Sequence, residues 1–192
     1  MSGLRRICVY CGSSPGSSDA YGEAAVALAN VMHEEGCSLV YGGASKGLMG
    51  RLADRMLELG GEVVGVIPRS LVEKEVAHEN LSKLHVVDSM HERKSMMAML
   101  SDGFIALPGG TGTLEEIVET VTWAQLQFHS KPCGLLNVDG FFDYLLAFLD
   151  HAMAEQFIRP AHRTILQVDT EAWRLLQKLK AYDAPIASKW VD

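Results

Sequence analysis

Nowhere in this chain do apolar side chains run unbroken to the ~18 residues that a membrane-spanning helix needs. Nothing before Leu4 has the charged-then-apolar pattern of a secretory signal, so a cytoplasmic protein is expected. Basic residues are in the minority, 17 against 24 acidic, for a net charge of −7. That balance argues against a protein that grips nucleic acid with a broad basic surface. It leaves room for one small anion held by backbone and a local arginine. There are only four cysteines, Cys8, Cys11, Cys37 and Cys133. Cys8-x-x-Cys11 has redox or zinc spacing, but the second pair that such a zinc site needs is missing. Both are read as small core or turn residues in a reducing compartment. The seven histidines form no H-x-x-x-H and no H-x-H, so no metal site is expected; His91 and His129 are read as caps or surface groups. Internal repeats, low-complexity tracts and linkers are absent too. One domain over residues 1–192 is expected, with an irregular tail from about 183.

What is present is an alternation. Hydrophobic residues make up 48% of the chain, enough for a substantial core. Short apolar runs at 7–10, 38–41, 63–67, 84–87, 104–107, 133–137 and 165–168 read as strands. Between them, 3.6-residue periodicity marks helices at about 20–35 (inner stripe Ala24, Leu28, Val31), 48–59, 141–155 and 171–181. A charged stretch over 70–81, with Glu73, Lys74, Glu75, His78 and Glu79, reads as a solvated helix. The fold class is α/β: a Rossmann-like doubly wound parallel sheet with helices on both faces.

The most informative stretch is residues 104–119. Apolar Phe104 to Leu107 ends at Pro108, Gly109, Gly110 and Gly112 follow, and a helix begins near Thr113 with Leu114, Ile117, Val118 and Val121 on one side. A strand, a glycine turn and a helix start aim free N–H groups above the sheet, a geometry that suits a phosphate or simply a tight turn. Known nucleotide fingerprints fail here: the sixth position of a motif begun at Gly110 is Glu115 rather than glycine or alanine, and no Walker lysine follows. Glu116 fits two roles, the last member of a Thr113-x-x-Glu116 capping box or a carboxylate at the rim of a phosphate pocket. A second glycine turn, 42–47, has Leu48 where a Walker loop has lysine, and is either another wall of the pocket or strand-to-helix packing. The serine-rich loop 11–18 would contact a phosphate or ribose, or merely cap a helix at Ser18 or Asp19.

Ser89-x-x-Glu92 is a capping box for the next helix. On that helix Arg93 shares a face with Met90, Met96, Met97 and Leu100, while Lys94 and Ser95 point elsewhere. A guanidinium on an apolar stripe must meet an anion or snorkel to solvent. The methionines are core, a dimer contact or the lining of a hydrophobic subsite.

Pro108-Gly109-Gly110-x-Gly112-Thr113-x-x-Glu116, preceded by Met90-His91-x-Arg93-Lys94, resembles the Lonely Guy family, whose members are often mislabelled lysine decarboxylases. Tyr41-Gly42-Gly43, Gly47-Leu48-Met49-Gly50, Thr122-Trp123-Ala124-Gln125-Leu126 and Lys131-Pro132-x-Gly134-Leu135-Leu136-Asn137 extend the likeness from Cys8 to about Phe157. The resemblance implies a phosphoribohydrolase that splits cytokinin riboside 5′-monophosphates into free base and ribose 5-phosphate, with no metal or organic cofactor. It implies Arg93 and Glu116 as catalytic residues. It implies substrate contacts from Glu75, Arg93, Lys94, Gly109, Gly110, Thr111, Gly112, Thr113, Leu114, Glu115, Glu116 and Thr122. Glu73 and Glu79 compete with Glu75 for that role. The family's pocket lies at a subunit interface, so a homodimer is expected. The alternatives are a non-catalytic nucleotide or cofactor carrier on the same fold and a pyridoxal-phosphate decarboxylase. For the latter Lys46, Lys94 and Lys131 are available, but nothing around them marks a Schiff-base lysine.

Overall fold

The computed structural model describes residues 3–72 and 77–185. Glu73 and Glu75 therefore lie outside the described residues. The seven expected strands are β1 (Arg6–Tyr10), β2 (Ser38–Tyr41), β3 (Val63–Pro68), β4 (Lys83–Val87), β5 (Gly103–Ala106), β6 (Cys133–Leu136) and β7 (Leu166–Asp169). They form one parallel sheet in the order β4-β3-β2-β1-β5-β6-β7. The helices are α1 (Asp19–Glu34), α2 (Gly47–Glu58), α3 (Arg69–Val72), α4 (Met90–Leu100), α5 (Thr111–Gln125), α6 (Asp143–Ala154), α7 (Pro160–Arg163) and α8 (Ala172–Lys180).

The central strands are apolar throughout because both their faces are covered. Ile7 and Val9 of β1 meet Leu28, Met32, Leu52 and Leu175 from α1, α2 and α8. Cys8 and Tyr10, on the opposite face, meet Met97 and Ile117 from α4 and α5, with Leu146 of α6 packed alongside. That is the doubly wound architecture expected from the alternation.

The order of strands places the site. From β1 the chain moves outward through β2 and β3 to β4, then returns to lay β5 on the other side of β1. The loops leaving β1 and β5 diverge at this reversal, and a crevice opens at their carboxyl ends. One hydrogen bond, Gly12 N to Pro108 O at 3.1 Å, ties the two loops at the base of the crevice.

Three local expectations are corrected. The buried stripe of α1 is Ala25, Leu28, Ala29 and Met32, with Ala24 and Val31 only partly covered. Leu28 keeps its expected place, but the face around it is rotated by one residue, from Ala24 to Ala25 and from Val31 to Met32. Of the solvated helix expected over 70–81, the described residues up to Val72 are helical, in α3. From Ala77 the backbone instead bridges Ala44, and His78 N donates to Gly43 O at 2.9 Å. With no apolar stripe to bury, this segment gains more by pairing with the turn after β2. The helix after the central glycines begins at Thr111, not Thr113.

Candidate active site

That earlier start changes the reading of the turn. The N-cap of α5 is Gly110, and no side chain caps this end. Thr113 is the third residue of the helix and Glu116 the sixth, so the capping box does not form. The first intrahelical bond runs from Leu114 N to Gly110 O at 3.1 Å. The N–H groups of Thr111, Gly112 and Thr113 precede it and point out of the helix end, where an anion would meet them.

The glycines around them do different work. A Cβ on Gly109 would lie 2.1 Å from Thr113 Oγ1 and 2.9 Å from Gly12 N, so Gly109 permits the close packing of the turn on the β1 loop. A Cβ on Gly110 or Gly112 would meet nothing within 4 Å. Protein packing gives no reason for glycine at those two positions; their missing side chains leave the space above the helix end open.

That space is a cleft of about 330 Å³, lined by Gly110 to Thr113, Glu115, Glu116, Arg93, Cys11, Met49 and Leu71 among others. A second cleft of about 300 Å³ lies across Gly12, Ser13 and Gly110, walled by Tyr21, Leu48 and Phe141. The serine loop thus borders both clefts. Ser18 caps α1, accepting from Ala20 N at 3.3 Å.

Arg93 lies on α4, whose N-terminus is fixed as the spacing of Ser89 and Glu92 suggests. Ser89 Oγ accepts from Glu92 N at 3.1 Å, while the Glu92 carboxylate reaches back one residue further, to Asp88 N at 2.9 Å. The Arg93 guanidinium does not snorkel. It is 6% exposed. Its Nε donates to Val66 O at 3.1 Å and its Nη2 to Gly42 O at 3.3 Å. A Cβ on Gly42 would sit 2.1 Å from Nη2, so the second glycine turn exists in part to let this arginine through. Nη1, the remaining corner, faces Glu116 Oε1 at 3.8 Å. Two carbonyls at the ends of β2 and β3 hold the cation in place, and one edge is left toward the cleft. The backbone of α5 at Glu116 is tied to β1: Thr120 Oγ1 donates to the Glu116 main-chain carbonyl at 2.8 Å, and buried Tyr10 bonds the same hydroxyl at 3.1 Å.

Other expected residues fall elsewhere. Lys94 points to a different side of α4 from Arg93, yet it too is buried, with Nζ 2.5 Å from Glu115 Oε1 and 2.9 Å from Glu119 Oε2. Thr122 donates to Val118 O at 2.8 Å and, like Leu114, lines an apolar groove on the outer side of α5 rather than the cleft. Six residues past Glu116 is about 240° around a helix, so one chain cannot bring both to one pocket. Glu115 borders the cleft and the groove. Glu79 is exposed, beyond the Ala77 bridge. Cys11 and Met49 stood in sequence motifs without being read as site residues, Leu71 carried no motif signal, and Tyr10 and Thr120 lie beneath the cleft; all are placed by the topology. Thr120 alone had a local cue, its place four residues after Glu116.

All four cysteines are free thiols, and burial pushes Cys8, Cys11 and Cys133 far above the ordinary range. Cys11 is thus a wall of the cleft and not a nucleophile. His129 accepts from Lys131 N through Nδ1 and pairs with Thr120 O through Nε2, a connector between loop and helix. Among the described residues no group of three or more His, Cys, Asp or Glu side chains could hold a metal ion. No helix among them is long and apolar enough to cross a membrane.

The comparisons with known proteins agree with this layout. A family model described as "Possible lysine decarboxylase" matches residues 49–179. A probable cytokinin riboside 5′-monophosphate phosphoribohydrolase of Oryza sativa subsp. japonica is 52% identical over 181 residues, covering 94% of this chain and 80% of that protein. A cytokinin riboside 5′-monophosphate phosphoribohydrolase of Arabidopsis thaliana is 50% identical over 194 residues, covering 98% and 85%. Among solved structures, the molybdenum cofactor carrier protein of Chlamydomonas reinhardtii superposes with TM-score 0.67 at 19% identity, covering 93% of this chain and 97% of that one. The molybdenum cofactor binding protein of Rippkaea orientalis does so with TM-score 0.69 at 20% identity, covering 94% and 98%. At such identities the carriers share the fold alone. The decarboxylase description finds no free buried lysine at the cleft among the described residues: Lys94 is ion-paired, Lys131 Nζ donates to Ala98 O at 2.7 Å, and Lys46 is exposed. A relative half-identical along nearly the whole chain decides membership: this chain belongs to the Lonely Guy family of cytokinin riboside 5′-monophosphate phosphoribohydrolases.

Proposed function

We propose that the protein hydrolyses the N-glycosidic bond of N6-modified adenosine 5′-monophosphates, giving the free base and ribose 5-phosphate. The observation that carries this reading is a buried, carbonyl-anchored arginine facing a carboxylate at 3.8 Å, in a cleft whose rim is the uncapped end of α5. In the reaction the bond from the ribosyl carbon to the purine nitrogen breaks and its electrons leave with the base. The carbon becomes oxocarbenium-like. Glu116 stabilises that charge and orients a water, whose oxygen bonds the carbon. The water's proton leaves through the carboxylate and ends on the base or in solvent. Arg93 faces the electron density that gathers on the departing purine. Sugar glycosidases meet the same demand with two carboxylates. The N–H groups of Thr111 to Thr113, beside Gly109 and Gly110, hold the 5′-phosphate. Glu75 remains the proposed further carboxylate contact. No cofactor enters this scheme, and the buried free thiols suit a reducing cytoplasm.

The test is chromatography of purified protein incubated with AMP and with its N6-isopentenyl analogue. Free base and ribose 5-phosphate in equal amounts are expected. Tight nucleotide binding without base release would move the assignment to the carrier reading.

The reading includes a homodimer with the cleft near the interface. Leu114, Val118, Trp123, Leu126, Tyr144 and Phe148 line an apolar groove of about 980 Å³ formed by α5 and α6. Tyr144 is 91% exposed and Phe148 63%, large apolar side chains that a second copy would cover. The groove is continuous with the cleft through Glu115 and Thr111. A second copy seated there would bring its own Thr122 toward the site. Notably, the methionines of α4 do not form this surface: Met97 is core and Met99 points away into solvent. Light scattering should give twice the chain mass of 21.0 kDa or a multiple of it. An active species of a single chain mass at micromolar concentration would refute the interface.

A further inference from the structure

Arg93 and Lys94 are neighbours on α4, yet both are buried. Their helix has one flank on the sheet and the other against α5. Arg93 turns toward Glu116. Lys94 turns toward the acids on either side of it, Glu115 and Glu119, which lie four apart on one face of α5. Burial alone would pull the Lys94 ammonium down, but its hydrogen bonds to Glu115 and Glu119 outweigh that and hold it above the ordinary lysine value. The cation is therefore engaged with both carboxylates.

The position of Glu115 makes this pairing consequential. Its carboxylate borders the same cleft as the open end of α5, where the substrate phosphate is placed. An unpaired negative charge there opposes the phosphate and competes with Glu116 for Nη1 of Arg93. Glu115 and Glu119 would also repel each other at i, i+4. One buried ammonium cancels all three effects and ties the two helices together beside the Arg93–Glu116 pair.

We propose that Lys94 is a positioning residue that acts through Glu115 and Glu119: it locks α4 to α5 and holds the Glu115 charge away from the phosphate, and does not itself contact substrate. This rests on the phosphoribohydrolase reading of the cleft and departs from the substrate contact that family resemblance implies for Lys94.

The experiment is a cycle of Lys94→Met, Glu115→Gln and the double variant. It reads the dissociation constant of AMP by calorimetry, kcat and KM for base release, and Tm. Lys94→Met should weaken AMP binding by about tenfold or more, the scale of coupling inside one salt-bridge network, and lower Tm. The double variant should recover most of the binding, because the charge stranded at the cleft is gone, and only part of the Tm, because Glu119 still lacks its lysine. Lys94→Arg should keep most of both, since the guanidinium also reaches two carboxylates. If Lys94 grips the phosphate itself, removing Glu115's charge cannot replace it. A double variant that binds AMP no better than Lys94→Met therefore overturns the proposal. Should Lys94→Met fail to fold, the triple variant that adds Glu119→Gln decides: a folded, AMP-binding protein supports the clamp, and its absence refutes it. The binding and melting arms do not need turnover. An inactive wild type would thus count against the hydrolase and leave the clamp measurable, whereas an active wild type with no rescue counts against the clamp alone.

Discussion

AMP should be hydrolysed at least ~10²-fold better than adenosine in kcat/KM, because a charge-assisted hydrogen bond contributes about 1.5–3 kcal/mol and α5 offers several donors. Thr111, Gly112 and Thr113 present N–H groups before the first intrahelical bond, and the N-cap, Gly110, has no side chain to cap them. Gly110 and Gly112 leave the approach clear. The helix dipole adds to the attraction. The contact is remote from the bond that breaks, so its binding energy serves to set the ribosyl carbon against Glu116 and a water. The loss on removing the phosphate should therefore appear in kcat as well as KM. The measurement is base release from AMP and adenosine side by side. Equal rates would mean that the end of α5 is not a phosphate cradle, and the proposed orientation of substrate would fall with it.

A replacement at Gly112 probes the same contact from the protein side. A methyl group there meets no protein atom, so folding should tolerate it, while the space above the helix end shrinks. That asymmetry between fold and ligand is what separates Gly112 from Gly109, where a methyl group collides with Thr113 and Gly12.

The central strands of the sheet were legible because they are buried on both faces. A run such as Ile7 to Tyr10 has no polar face to confuse the pattern, and each run ends at a glycine, a proline or a polar turn. The reversal between β1 and β5 is a property of the whole chain, yet the glycine turns after β1, β2 and β5 had already pointed to the carboxyl ends. What misled was local chemistry that fits two structures. Thr113 and Glu116 have the spacing of a capping box, but Gly110 begins the helix with backbone alone. A helix end kept open for a ligand carries no side-chain cap to announce it. Lys94 was misplaced for a related reason: a stripe assumes one buried face, and α4 has two, one toward the sheet and one toward α5. Thr122 shows the remaining limit. Its motif is clear, but the geometry that would give it a role involves a second copy of the chain, which no pattern within one copy encodes.

The largest effect expected from a single side chain is at Glu116. Glu116→Gln should lower kcat on the order of 10²-fold or more, the scale of a lost electrostatic or acid–base group. The capping reading predicted little loss, since glutamine can serve a helix end about as well. With Glu116 at the sixth position of α5, that reading has no structural basis. Glutamine keeps the size of the side chain and a hydrogen-bonding oxygen beside Arg93 Nη1, but it cannot balance positive charge on the ribosyl carbon or take a proton from water. The fold should survive the change. Arg93 keeps its carbonyl acceptors at Val66 and Gly42, so the cation is not stranded, and Tm should move little. Arg93→Ala is a less clean experiment. It removes the donors to both carbonyls along with the charge, so part of its loss should appear as a lower Tm. The measurement is therefore single-turnover base release by Glu116→Gln beside its melting curve. Near-normal turnover in a normally folded variant would remove Glu116 from the mechanism.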